Sequence, residues 1–339
     1  MRALRVLACG PATSVQDGGR AGWQRYGLSA SGPMDPLAFA TANVLLGNPP
    51  GTAAIELGPG GGRFRAEGGA LRLALTGAVS AASVEGAAMA WHRSFVLREG
   101  ETLRIAPPRE GVFATLGIGG GLDLPSAMGS LALHRRAALG GLDGRPLREG
   151  DALPVAGEAP SGESDLRLDP VPLERDRPVR VVLGPQADRF TEAGLATLLD
   201  AEFRVSGRAD RMGYQLDGPA VAHGEGGFNI VSDGTVPGSI QVPGEGRPIV
   251  LMADRQTTGG YPKIATVISA DLRRIAQRRP GDRVRFEAVE VATAVRLARE
   301  RAAWIASLPE RLSPAGDALD RMWQANLAGD AVDALREPD

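Results

Sequence analysis

Lysine is nearly missing from this chain. Of its 38 Lys plus Arg residues only one is lysine, Lys263. Arginine serves as the cation everywhere else. The two differ physically: lysine is a compact charge on a flexible stem, whereas arginine is a wide fork that stays charged. The scarcity excludes several chemistries. A phosphate-cradling P-loop needs Gly-Lys-Ser/Thr, and Lys263 is followed by Ile264. A biotin carrier needs a lysine on a tight turn flanked by methionines, and the neighbours here are Pro262 and Ile264. A pyridoxal Schiff base would have to use Lys263, and no phosphate site accompanies it.

Cysteine is equally scarce. The single Cys9 rules out an internal disulfide and fits a reducing cytoplasm. It reads as a small buried hydrophobe in a first strand. The three histidines, His92, His134 and His223, lack metal-ligand spacing, so no metal site is expected. No apolar run reaches membrane-spanning length. Met1 to Gly10 is too short and too charged to read as a signal peptide, so the expected location is the cytoplasm. A net charge of −2 gives no electrostatic case for nucleic acid or an anionic membrane.

Glycine (46) and proline (25) are abundant, which implies many turns and short strands. Leu71 to Thr76, Leu103 to Ile105 and Arg283 to Phe286 alternate as half-buried strands do. A helix is predicted from Pro36, with Asp35 as N-cap and Gly47 as the stop. A second follows Thr191, and Val289 to Leu308 and Leu319 to Leu335 carry helical spacing. The expected organisation is a β-rich domain over 1–155, a Pro/Glu/Asp/Ser-rich linker over 156–177, a second β domain over 178–288 and a helical tail over 289–339.

Three polar clusters stand out, and each holds one of the three tyrosines. The first runs from Thr13 through Gln16, Asp17 and Arg20 to Tyr26 and Asp35; its glycines let backbone approach a ligand closely. The second is Ser206 to Tyr214, where Arg208 and Arg211 could clamp a carboxylate or phosphate. The third runs from Gly238 to Lys263 and places Gln241, Asp254, Gln256, Thr257, Thr258 and Tyr261 around an apolar strand. Hydroxyls and amides can hold a polar ligand there. Asp254 could act as a base or orient Lys263, and Tyr261 or Lys263 could donate a proton or polarise a carbonyl. A charged turn with surface ion pairs is the competing explanation of the first two clusters. Chance survival of one lysine competes with a functional Lys263.

Six motifs in order resemble one family: Ser14 to Arg20, Ser31 to Asp35, Ala42-Asn43 with Gly47-Asn48, Asp210 to Tyr214, Gly238 to Pro243 and Asp254 to Lys263. The set resembles biotin-dependent carboxyltransferases of the KipA / 5-oxoprolinase C-subunit / allophanate hydrolase subunit 2 type. Asn326 to Asp333 is similar to the family's closing segment. The resemblance implies a mainly β fold with some α (α+β), with cyclophilin-like β-barrel domains and a helical C-terminal tail. It also implies a small amide substrate and a partner like KipI or the 5-oxoprolinase B-subunit, with an A-subunit-like chain in some assemblies. No cofactor is then attached to this chain; ATP or carboxybiotin enters through partner chains. Three functions are open: a subunit of an ATP-dependent 5-oxoprolinase, a carboxyltransferase subunit for urea or a related amide, and a KipA-type regulator that binds a KipI-like kinase inhibitor. In the first, Lys263, Asp254 and Tyr261 are the expected catalytic residues, with Asp254 as the lysine's partner. Arg20 and Arg211 are expected anion clamps. Gln16, Asp17, Tyr214, Gln241, Gln256, Thr257 and Thr258 are expected to bind substrate. One stretch, Leu131 to Arg136, departs from the polar run usual in the family, which bears on substrate identity.

Overall fold

A computed structural model describes residues 1–158 and 164–316. The helix expected over Leu319 to Leu335, the motif at Asn326 to Asp333 and residues 159–163 lie outside that range.

The first half buries alternate strand residues from two antiparallel sheets against one core. One sheet is built on Ala3–Cys9, Gly62–Glu67 and Thr102–Ile105; the other on Ala54–Leu57, Leu71–Gly77, Arg93–Leu97 and Ala114–Ile118. Leu4, Val6, Phe64, Leu73, Leu103 and Leu116 come from both sheets into a single apolar cluster. Gly62–Glu67 shows why: its alternate residues Gly62, Phe64 and Ala66 are buried, while Arg63 and Arg65 face solvent.

Helix α1 (Pro36–Leu45) covers the outside of the second sheet. It starts where the sequence predicts, because Asp35 Oδ1 accepts from the Leu37 and Ala38 amides and Pro36 fits the first turn. Leu45 joins Ala74, Leu168 and Leu308 in a small cluster that Trp304 and Ile305 close.

The second half contains one eight-stranded sheet. Its order is Arg283–Val284, Phe203–Ala209, Gly213–Asp217, Ile249–Leu251, Ser239–Gln241, Lys263–Val267, Val179–Leu183, Phe286–Ala288. The first and last strands are consecutive pieces of chain with only Arg285 between them. Phe203 pairs with Val284 on one side, and Val179 pairs in parallel with Phe286 on the other. The sheet therefore curls into a nearly closed barrel, which leaves few bare edges. Helices α2 (Glu192–Asp200), α3 (Leu272–Ala276) and α4 (Val291–Ala306) complete the α-helices among the described residues. Thr191 caps α2 through the Gly194 amide. The chain is mainly β with some α, as expected.

The two halves are sewn together by buried polar groups. Gln277 Oε1 accepts from the Val112 and Phe113 amides, and its Nε2 donates to Asp35 Oδ2 and to the Phe113 carbonyl. Met34, Val112 and Phe113 from the first half also sit in the barrel's core cluster.

Candidate functional site

Arg211 is the point where the three polar clusters meet. It lies in the turn between Phe203–Ala209 and Gly213–Asp217. Its Nε and Nη2 donate to Asp254 at 2.8 and 2.9 Å, and its Nη2 also reaches the Gly32 carbonyl at 2.7 Å. Its Nη1 donates to Glu56. Glu56 is 2% exposed and also accepts from the Met34 amide at 2.6 Å. Burial raises the Glu56 carboxyl above its usual range despite the pull of Arg211. Burial opposes the charge on Arg211 too, but the two carboxylates outweigh it and hold the guanidinium firmly protonated.

Glu56 was not among the residues singled out in the sequence. Its signal was there: one carboxylate inside the apolar strand Ala54–Leu57 is a buried charge that must find a cation.

This ion cluster forms one wall of a cleft of about 930 Å³ between the halves. Arg211, Tyr214 and Asp254 contribute from the barrel, and Leu133, Arg135 and Arg136 from the first half. The departing stretch thus reaches the cleft. Tyr214 is nearly fully buried and donates to the Ala276 carbonyl at 2.8 Å, and burial raises its hydroxyl well above the normal range.

Gln16, Asp17 and Arg20 act from behind that stretch. Arg20 Nε donates to the Ala127 carbonyl, and its Nη2 donates to the Ser130 and Ala132 carbonyls. Asp17 accepts from Ser130 Oγ and the Leu131 amide at 2.7 and 2.6 Å. Gln16 donates to Ser14 Oγ and the Leu133 carbonyl and accepts from the Gly32 amide. Arg20, expected as an anion clamp, spends these donors on backbone carbonyls. It and Asp17 hold the loop that carries Arg135 and Arg136. Gly140 closes the same loop at φ +69, where a Cβ would fall 2.2 Å from the Ala132 carbonyl oxygen.

A second, shallower cleft of about 680 Å³ lies across the Ala209 to Met212 turn. Gln241, Gln256 and Tyr261 line it, with Gln256 Nε2 donating to Gln241 Oε1 at 2.9 Å. Tyr261 is 40% exposed.

Lys263 lines neither cleft. It is 1% exposed, and its Nζ donates to Asp233 Oδ2 at 2.7 Å. Asp254, its expected partner, is committed to Arg211 instead, because the strand Ile249–Leu251 delivers Asp254 to the junction while the strand Lys263–Val267 starts beside Gln241. Hydrogen bonds from Lys263 and Gln186 hold the Asp233 carboxyl down at about 2. Thr257 and Thr258 hold the segment that carries Asp233, a strap across the barrel mouth at Lys263: Asp233–Gly234 pairs with Thr258–Gly259, and the Thr235 amide donates to the Thr257 carbonyl. The strap is tied to the first half by Gln24, which donates to the Thr235 carbonyl at 2.7 Å and accepts from Arg255. Burial alone pushes the Arg255 guanidinium down to about 10.

The three tyrosines do not share one cleft. Tyr26 is 62% exposed beside Trp23 and Arg25, Tyr214 is buried, and Tyr261 opens on the far side of the turn. Among the described residues no group of three His, Cys, Asp or Glu could hold a metal ion. Nor is any helix among them long and apolar enough to cross a membrane.

The carboxyltransferase domain family, subdomain A and B, matches residues 26–288, and the chain belongs to that family. It is 33% identical over 311 residues to the C subunit of the 5-oxoprolinase of Escherichia coli (strain K12), covering 91% of this chain and 98% of the relative. The corresponding Haemophilus influenzae protein is 35% identical over 297 residues, covering 88% and 94%. The crystal structure of the K. lactis urea amidolyase superposes with a TM-score of 0.80 at 27% identity. That match covers 90% of this chain and 20% of that much longer one.

Proposed function

We propose that this chain is part of an ATP-dependent 5-oxoprolinase complex, which opens 5-oxoproline to glutamate, and that the junction cleft binds and polarises the cyclic amide. The observation that carries this reading is the end-to-end match to the C subunit of 5-oxoprolinase, 98% of that relative's length. The geometry supports it. The Arg211 guanidinium sits at the cleft wall, fixed in place by Glu56 and Asp254 before any ligand arrives, and a polar group held in this way can orient an amide against the wall. Asp254 is the carboxylate of the cluster that lines the cleft and is the candidate proton acceptor. Gln241, Gln256 and Tyr261 supply a neighbouring polar surface.

Lys263 does not fit a covalent biotin site, since its ammonium is buried at the start of a strand and bonded to Asp233. ATP is supplied through partner chains of the 5-oxoprolinase A and B types. A second reading is a carboxyltransferase subunit for urea or a related amide, using carboxybiotin from another chain. The superposition on urea amidolyase favours it.

Co-expression with partner chains of those A and B types tests the proposal. The assembled complex is expected to release glutamate from 5-oxoproline with ATP consumption. Asp254→Asn should lower kcat at least tenfold. Lys263→Arg keeps the charge but widens the head group, and full activity with that change would end any electrophilic role for the lysine. Urea-dependent ATP consumption with biotin-bearing partners, and no glutamate release, would instead establish the second reading.

A further inference from the structure

The junction cleft carries more positive charge than its ion cluster uses. Arg135, Arg136, Arg211, Arg278 and Arg279 line it, against the carboxylates of Asp210 and Asp254. Glu56 behind the wall joins Asp254 in offsetting Arg211. Asp210 caps its own turn through the Met212 and Gly213 amides. Arg278 and Arg279 direct their side chains to backbone carbonyls: Arg278 to Arg175, Arg279 to Gly111 and Pro108. Carbonyls satisfy donors without cancelling charge. Arg278 also keeps a buried Nε with no hydrogen-bond partner. The rest of the lining is mostly proline and apolar side chains such as Pro59, Pro107, Pro146 and Phe113, which bring no further anion.

Arg135 and Arg136 differ from the others. Both are exposed on a short 3-10 turn, Arg135–Ala137. The turn is rigid. The His134 ring accepts from the Ala137 amide, the Leu133 amide donates to the Val15 carbonyl, and Asp17 and Arg20 fix the preceding residues. Two forked donors thus rise into the cleft from a hydrogen-bonded backbone. A planar carboxylate is the anion such forks match, through paired charge-assisted hydrogen bonds.

We propose that Arg135 and Arg136 are specificity-determining residues, which recognise a carboxylate on the amide substrate and so select an acidic amide over a neutral one. The inference deepens the proposed function and rests on its placing of the substrate in this cleft. An amide such as 5-oxoproline carries that carboxylate; urea does not. The residues that distinguish the substrates then lie in the loop that departs from the usual family pattern.

Binding to the full-length chain separates this inference from the activity itself. Three probes are titrated calorimetrically: 5-oxoproline, 2-pyrrolidinone (the same ring without the carboxylate) and tetrahydrofuran-2-carboxylate (a carboxylate-bearing ring without the amide). The proteins are the natural chain, Arg135→Ala/Arg136→Ala and the control Arg299→Ala, which changes an exposed arginine of α4. Both carboxylates are expected to bind at least tenfold tighter than 2-pyrrolidinone. The double variant should lose that preference while Arg299→Ala keeps it. In the assembled complex the double variant should raise KM for 5-oxoproline at least tenfold and change kcat less than threefold. Equal affinity of the natural chain for acidic and neutral rings, including no measurable affinity for any of them, would overturn the inference. So would a double variant that keeps its preference. If the carboxylate preference holds and depends on the two arginines while the complex releases no glutamate, the inference stands and only the 5-oxoprolinase reading falls.

Discussion

At the scale of single residues, Arg211 decides most. It is the cation for two buried carboxylates and donates to a carbonyl besides. Removing it strands Glu56 and Asp254 together in a low-dielectric seam. Arg211→Met is therefore expected to destabilise the chain by about 3–5 kcal/mol, measured by urea denaturation. The triple change Glu56→Gln, Arg211→Met and Asp254→Asn should recover part of that loss, because neutral groups do not carry the cost of buried charge. Equal losses in both proteins would contradict this account. The sequence made Arg211 and Asp254 visible as polar residues beside glycine turns. It did not show their pairing, because a partner across 43 residues is set by strand order rather than spacing. Lys263 illustrates the same limit. Its singularity was plain, but Asp233 sits in a two-residue strand that no periodicity marks.

At the scale of elements, caps and the alternation of Leu103 to Ile105 were legible because they are local, whereas Leu71 to Thr76, expected to be half-buried, is buried on both faces because α1 packs on its outer one. Asp35 and Thr191 each announced a helix start that the backbone amides bear out. Short pieces such as Leu166–Arg167, which adds to the sheet beside Arg93, were not legible, since two residues carry no pattern. The entry to the strand Arg93–Leu97 offers a measurable consequence. His92 stands there at φ 57, with its amide donating to the Leu75 carbonyl. Burial, and then the nearby Arg273 charge, lower its ring to about 4, against the opposing pull of Asp35. Between an unfolded value of about 6.5 and that folded value, the unfolded chain binds the proton more tightly. The ring's contribution to stability is therefore fully present above about pH 6.5 and is lost toward pH 4, by up to about 3 kcal/mol. His92→Asn tolerates the left-handed backbone and does not titrate. It should flatten that part of the stability profile between pH 7 and pH 4.5, read from denaturation midpoints. An unchanged slope would show that the ring is protonated in the folded state.

At the scale of the whole molecule, the seam is as important as either core. Gln277 satisfies two amides and one carbonyl of the facing half and also reaches Asp35. Gln277→Leu would leave the Val112 and Phe113 amides buried without acceptors. The expected cost is about 2–6 kcal/mol, at roughly 1–3 kcal/mol for each of the two buried unsatisfied amides. A single unfolding transition at lower urea concentration is expected if the halves unfold together. Two resolved transitions would show that the seam alone coupled them. Either outcome is read directly from the denaturation curve.

The closure of the barrel has a consequence for how the chain is made. Val179–Leu183 is synthesised about a hundred residues before Phe286–Ala288, the strand it must pair with. During translation its outer edge, and that of Phe203–Ala209, stay bare until the last barrel strands emerge from the ribosome. A nascent chain arrested before Arg283 would present two open edges to its neighbours, a state prone to association between chains. One six-residue stretch, Arg283 to Ala288, removes both edges at once. The same short segment that completes the fold thus ends the period in which the unfinished barrel is vulnerable.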